Sequence, residues 1–222
     1  KYFTVPKRRR AAALLLQDVW QGPSGATGFA VSQNGTLVFH SGAAGGLSNM
    51  YVVDRQGVER QLAGPMLMFR EPRVSPDGRR IAVRIAPGMT DGGLWIHDIA
   101  AGTLTRLTAD SASIRGEWTR DGLRVVYVDH ATSDSQLVVS RPWDGSGAPT
   151  VLARGGRQAF WEVAVGPATG LSAIRRGSAP NSDILLAPTD SLSAARPFIS
   201  SSAMELAPRV SPHGRLLAYS SN

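Results

Sequence analysis

The sequence predicts an all-β fold assembled from repeated four-stranded antiparallel units, and three observations lead there. A turn motif recurs at a fixed period, a second landmark keeps the same period, and the stretches between them have the composition of strands. "VSQNG" ends at Gly35, "VSPDG" at Gly78, "WTRDG" at Gly122 and "VSPHG" at Gly214, with a decayed copy, "VGPATG", ending at Gly170. Successive copies lie 43, 44, 48 and 44 residues apart. The second series runs "NMYVVDRQG" to Gly57, "GLWIHDIAAG" to Gly102, "QLVVSRPWDG" to Gly145 and, without a glycine, "SDILLAPTD" to Asp190, in steps of 45, 43 and 45 residues. Two independent markers holding one period identify an internal repeat.

Within a unit the residue types specify strands. "RRIAVRIA" and "GLWIHDIA" are rich in β-branched and aromatic residues and are bounded by glycine, proline or aspartate, and no window of similar length carries a helical stripe. In the clearest unit the four strands are expected near Pro72 to Ser75, Arg80 to Ile85, Leu94 to Ile99 and Thr103 to Thr108, after which "ADSASIRGE" crosses to the next unit. The first hairpin of each unit needs a residue that accepts positive φ, which assigns Asn34, Gly35, Asp77, Gly78, Asp121, Gly122 and Gly214 a structural role in turns. Four antiparallel strands per 40-odd residues make the blade of a β-propeller. A sandwich would also have short strands, but nothing in it requires the same turn chemistry at a fixed period.

The division that follows is a basic N-terminal segment over 1–11 and a partial propeller over 12–222. Blades are expected at 20–64, 65–108, 109–154 and 155–200, with part-blades at 12–19 and 204–222. Lys1 stands where an initiator methionine would, and "LLAYSSN" stops in mid-pattern, so we expect an open arc cut from a larger ring. The alternative is that the two ends combine into a composite fifth blade. An open arc leaves two flanks without a neighbour, and marginal stability or self-association is expected of it.

Composition bounds the function. With 42% hydrophobic and 18% charged residues in 222, the chain is globular. The net charge is +7 and 22 of the 24 basic residues are arginine, yet they form only one run, Lys7 to Arg10, without a recognition helix or zinc-finger spacing, so nucleic acid is not an expected partner. The apolar stretch "AAALLL" is too short for a signal peptide, and no stretch approaches the ~20 apolar residues of a membrane helix. There is no cysteine, which removes disulfides and thiolate metal sites and leaves the compartment open.

The repeated "PRVSPDGRRIAV" with "GLWIHDIAAGTLTRLT" resembles the TolB-like, WD-repeat-like propeller repeat of bacterial proteins. The likeness covers nearly the whole chain from Ala12, strongly around Gly35, Gly78 and Gly122 and weakly around Gly170. More narrowly, "FAVSQNGTLVFHSG" with "MYVVDRQGVERQL" is similar to the propeller behind the catalytic domain of bacterial serine/threonine protein kinases. The resemblance implies six or more blades in the intact protein, a bacterial and often multidomain parent, and the periplasmic or extracytoplasmic side. Prolyl-oligopeptidase-type enzymes carry a similar propeller in front of their hydrolase domain, so a gating propeller of a serine peptidase is the alternative.

The residues that could suggest catalysis or metal binding have plainer roles. A calcium loop needs several carboxylates within about a dozen residues, and "SPDG" has one, so the turn reading stands. There is no G-x-S-x-G, since "GPSGA" at Ser24 and "DGSGA" at Ser146 have the wrong spacing. His40, His97, His130 and His213 show no metal-ligand pairing, and the glycine-rich "SGAAGGLSN" lies between strands rather than opening a helix. No catalytic, cofactor-binding or metal site is therefore expected.

What remains is the propeller's binding geometry. The crossovers between blades are expected at the face where propeller ligands meet the channel, carrying Met66, Met68, Phe69, Arg70 and Glu71; Arg115 and Glu117; Arg157, Phe160, Trp161 and Glu162; Met204 and Glu205. Of these, Arg70, Glu71, Arg115, Glu117, Arg157, Trp161, Glu162 and Glu205 are the candidate interaction residues of the channel rim, for a protein or peptide partner or a small polar ligand. The competing reading is that arginines and glutamates of adjacent blades simply pair with each other. Met66, Phe69, Phe160 and Trp161 serve equally well as packing between blades, which is the role expected of Trp95 and Trp118.

Overall fold

The computed structural model describes residues 19, 28–32, 34–41, 46–54, 56–86, 92–109, 113–130, 136–155, 159–166, 170–177, 180–211 and 214–222. The basic segment 1–11, the part-blade 12–19 apart from Val19, and Arg157 lie outside these residues.

The alternating, β-branched runs form antiparallel sheets in chain order, and the fold is a β-propeller. The first sheet holds β1 (Phe29–Val31), β2 (Leu37–His40), β3 (Met50–Val53) and β4 (Glu59–Gln61). The second holds β5 (Phe69–Val74), β6 (Arg80–Ile85), β7 (Gly93–Asp98) and β8 (Leu104–Arg106), and the third β9 (Ser113–Trp118), β10 (Arg124–Asp129), β11 (Leu137–Pro142) and β12 (Thr150–Arg154). The fourth comprises β13 (Phe160–Val165), β14 (Leu171–Arg176), β15 (Asp183–Pro188) and β16 (Arg196–Ile199), and β17 (Glu205–Val210) pairs with β18 (Leu217–Ser221) as a two-stranded sheet. The first strands touch in series, β1 to β5 to β9 to β13 to β17, so they line the inside of the arc.

Each first hairpin is closed by the same chemistry. The Gly N–H donates three residues back, Gly35 to Ser32, Gly78 to Ser75, Gly122 to Thr119 and Gly214 to Ser211, at 2.8–3.1 Å. The hydroxyl of Ser75 accepts the Arg80 N–H at 2.9 Å and donates to Asp77 at 2.6 Å, and Thr119 and Asp121 repeat this with Arg124. These bonds to the Asp77 carboxylate outweigh its partial burial and hold its pKa below the ordinary value. Gly78 has φ +74°, and a Cβ there would collide with the Asn34 side chain, which itself donates to the Asp77 carbonyl at 3.1 Å and ties adjacent turns together.

The core lies between sheets. Along β6, Ile81 and Val83 pack toward Val38, Met50 and Leu62 of the first sheet, while Ala82 packs with Trp118, Val125 and Tyr127 of the third. A strand buried on both faces must be apolar at successive positions, which is why "IAV" interrupts the alternation. Each fully buried Ile or Leu of the interleaved faces contributes about 1.5–3 kcal/mol. Phe69 and Phe160 belong to these inter-sheet clusters, as does Trp118, whereas Met66 is exposed. Phe29 and Val31 are exposed on the side of β1 away from the second sheet.

Two expectations are corrected. The inner strand of the second blade begins at Phe69, not near Pro72, and Arg70, Glu71, Arg115, Glu117, Trp161, Glu162 and Glu205 lie within inner strands rather than in the crossovers. Pro72 lies inside β5 and Pro208 inside β17, which is tolerated because an inner strand has a free edge and bulges, where a missing N–H costs little. At Asp190 the glycine turn is replaced by a short 3-10 helix, Thr189–Ala194.

Candidate functional site

The inner strands are bulged at corresponding places. Register shifts fall between Arg70 and Arg73, opposite Ile114 to Glu117, between Phe160 and Glu162, and between Leu206 and Arg209. Glu71, Arg115 and Ala207 adopt φ of +52°, +54° and +50°, a left-handed backbone that costs of order 1 kcal/mol for a residue with a Cβ. The bulge inserts an extra residue into the inner strand, which re-aims its side chains.

The side chains of these bulged strands pair from blade to blade. Arg115 Nε donates to Glu71 Oε1 at 3.1 Å and its Nη1 to Glu162 Oε2 at 2.5 Å. Arg209 Nη1 takes the other Glu162 oxygen at 2.7 Å, and Arg73 Nε pairs with Glu117 Oε1. Glu71, Arg115, Glu162 and Arg209 thus form a chain of alternating charge across four sheets, with Arg73 and Glu117 beside it. The Glu162 side chain is 3% exposed and that of Arg115 15%. Burial favours the protonated Glu162, but Arg115, Arg209 and Arg73 outweigh it and lower its pKa. Burial likewise opposes the charge of Arg115 and Arg73, and their carboxylate partners override it and raise both. Glu71, Arg115, Glu117 and Glu162 therefore follow the pairing alternative, with Glu71 Oε2 buried and left without a hydrogen bond.

A different set of groups stands at the end of the arc where inner strands begin and second strands finish. The Trp161 and His130 rings meet edge to face with centroids 5.2 Å apart, and the Arg175 guanidinium lies 6.0 Å from the Trp161 ring. Trp161 Nε1 and His130 Nε2 are buried and make no hydrogen bond. Burial and the charges of Arg115 and Arg84 lower the His130 pKa, keeping the ring neutral at neutral pH. Arg175 is 7% exposed, and its Nε donates to the Ser182 hydroxyl at 3.3 Å. Burial and the neighbouring Arg115 charge lower the Arg175 pKa. On the adjoining blade, Arg70 lies opposite Arg84 in the β5–β6 register, and burial together with the Arg70 charge depresses the pKa of His40 to about 4.

Of the remaining rim candidates, Glu205 accepts from Ser201 at 2.7 Å and Ser221 at 3.3 Å, which places it at the two-stranded sheet. Sequence reasoning passed over Arg73, Arg209 and Arg175, and read His130 only as a histidine without metal-ligand pairing. The signal for the first two is visible: "EPR", "RGE" and "APR" put a charge at the same repeat positions, and Arg73 precedes Glu117 by one period. Arg175 carried a weaker signal, a cation at the end of the otherwise apolar second strand "LSAIRR". Among the described residues no His, Asp and Glu cluster has the makings of a metal site, and no helix is long and apolar enough to cross a membrane.

No protein-family profile matches the sequence. Solved structures do. The TolB-type protein of Agrobacterium tumefaciens superposes with a TM-score of 0.73 at 19% identity over 91% of this chain and 72% of its own. TolB of Acinetobacter baumannii gives 0.62 at 18% identity over 78% of this chain and 43% of its own. A structure of prolyl endopeptidases gives 0.61 at 12% identity, over 80% of this chain and 30% of its own. The chain therefore spans less than half of the Acinetobacter TolB and under a third of the endopeptidase. At these identities the likeness is one of fold, and the fold is that of the TolB-like and related β-propellers.

Proposed function

We propose that this chain is a non-catalytic binding module of a larger bacterial protein, taking a peptide, a protein loop or a small polar ligand where its inner strands begin. The observation that carries this reading is the group of Trp161, His130 and Arg175. Buried polar groups left without partners cost about 1–3 kcal/mol each, and such a cost is tolerated where a ligand satisfies them. Trp and Arg are also among the residues most enriched in binding hot spots. Binding proteins and enzymes share the propeller fold, so the fold alone assigns no activity.

The finer reading, an accessory region of a serine/threonine kinase, is supported by the sequence likeness around "FAVSQNGTLVFHSG" alone. The peptidase alternative draws support from the structural likeness to prolyl endopeptidases. They differ in what the full gene encodes: an upstream kinase domain and membrane span, or a downstream G-x-S-x-G with its triad. For the binding role itself, a phage-displayed peptide library is selected against the chain. Selected peptides that lose binding in Trp161→Ala but keep it in Phe198→Ala, an exposed position on β16, support the site. Peptides unaffected by Trp161→Ala, or none selected at all, overturn it.

A further inference from the structure

We propose that Arg175, Trp161 and His130 form a receptor for a single carboxylate, the C terminus or an acidic side chain of a peptide bound at this end of the arc. The proposal deepens the binding role stated above and rests on it.

Charge is the first argument. The ladder and its neighbour bring together the cations of Arg73, Arg115, Arg209 and Arg175 and the carboxylates of Glu71, Glu117 and Glu162. Three of the four cations are matched: Arg73 to Glu117, Arg115 to Glu71 and Glu162, and Arg209 to Glu162. Arg175 faces Glu162 across the β13–β14 register, but both Glu162 oxygens are taken by Arg115 and Arg209. Glu205 is nearby as well, yet only its backbone carbonyl enters the Arg175 network, through the Ser182 hydroxyl at 2.7 Å; its Oε1 accepts from Ser201 and Ser221, and its Oε2 is buried without a hydrogen bond. Arg175 forms no ion pair among the described residues, and a neutral hydroxyl is its one hydrogen-bond partner there. A cation so deeply buried calls for an anion.

Donor geometry is the second argument. A carboxylate accepts about four hydrogen bonds in its plane, and a guanidinium offers parallel N–H groups in a matching fork. The Trp161 indole N–H and the His130 imidazole add two further buried groups without partners, on rings in contact with each other and with Arg175 over one of them. A neutral His130 donates through Nε2 in one tautomer, and Arg84 and Arg115 add positive potential to the same region. One guanidinium without an ion pair matches a single carboxylate rather than a phosphate dianion. The Trp161 face provides an apolar wall for the rest of a peptide residue.

The test uses the full 222-residue chain and N-acetylglycine, the smallest mimic of a peptide C terminus, at constant ionic strength. N-acetylglycinamide serves as the neutral control and inorganic phosphate as the dianion. The Trp161 indole N–H resonance is assigned by its loss in Trp161→Phe, and affinities come from ligand-observed NMR. N-acetylglycine is expected to shift that resonance saturably while the amide leaves it in place. Arg175→Gln is expected to weaken N-acetylglycine by about tenfold or more, the usual effect of losing a charge-assisted bond. Trp161→Phe keeps the ring, is expected to weaken binding several-fold, and decides the matter if Arg175→Gln does not fold. An equal response to the amide, unchanged affinity in both variants, or tighter binding of phosphate overturns the carboxylate assignment. Amidated synthetic copies of selected phage peptides separate the two levels. If they bind and lose binding in Trp161→Ala while N-acetylglycine gives no response, the binding role stands and the carboxylate receptor falls.

Discussion

Glu162→Gln probes the charge ladder most sharply, because the substitution keeps shape and removes one negative charge from between two guanidiniums. Glu162 is 3% exposed, and its partners Arg115 and Arg209 are 15% and 43% exposed. Removing one member of a buried pair costs about 3–5 kcal/mol, because the partner is left charged in a poorly solvated place. Arg115 retains Glu71 at 3.1 Å, which moderates the loss, and the exposed Arg209 contributes within the range of about 0–1 kcal/mol typical of surface pairs. The expected destabilisation is therefore about 3 kcal/mol. With a urea m value of about 3 kcal/mol/M, that lowers the unfolding midpoint by about 1 M. The measurement is equilibrium urea unfolding followed by fluorescence and circular dichroism together, whose coincidence tests for a single transition. Acid supplies the control. The Glu162 pKa is lowered in the folded chain, so its contribution is fully present above the ordinary carboxylate value of about 4.3 and disappears as pH falls through the folded value. The gap between wild type and variant must close in the same window. A destabilisation below about 0.5 kcal/mol at neutral pH, or a gap unchanged in acid, refutes the ladder as a stabilising feature.

Three further perturbations test separate parts of the structure. Gly78→Ala combines a left-handed φ with a collision against Asn34, whereas Gly145→Ala, at φ +76°, meets nothing within 4 Å; the first is expected to cost about 2 kcal/mol and the second about 1, by thermal unfolding, and equal losses contradict the inter-turn contact. Trp118→Phe removes the 2.9 Å bond from its Nε1 to the Arg73 carbonyl while keeping the buried ring system in part; a loss of about 1–3 kcal/mol in the urea midpoint is expected, and no loss means that the bond contributes nothing. His40 is buried with a pKa of about 4 against an ordinary 6.5, so the unfolded chain binds its proton first and stability falls by about 3 kcal/mol as pH drops from 6.5 to 4. His40→Asn is expected to lack this slope, and identical slopes in the two proteins refute the burial of a neutral ring.

The regular parts of the blades were legible because their chemistry is local. A Ser or Thr, an Asp or Asn and a Gly within four residues close a hairpin on themselves, so "SPDG" predicts Ser75, Asp77 and Gly78 without reference to anything distant. The inner strands were harder. Pro72 sits in mid-strand where it reads as a strand start, and the bulges at Glu71, Arg115 and Ala207 break the two-residue alternation by which strands are recognised. The acidic and basic residues of the channel were found, but as a rim. Their actual placement inside strands turned several of them from ligand contacts into each other's partners.

By itself, then, the sequence determined the period, the turn chemistry, the four-stranded unit and the all-β propeller class, all of which follow from residue types within one repeat. Only the tertiary structure decided which charges are spent and which are spare. Glu71, Arg115, Glu162 and Arg209 are separated by 44 to 47 residues, and their pairing depends on the angle at which consecutive sheets pack and on the bulges that turn their side chains. Electrostatic partnership falls off over a few ångströms in space and has no fixed distance along the chain. For that reason Arg175, an ordinary residue in the row of letters, becomes in three dimensions a buried cation with no ion pair among the described residues.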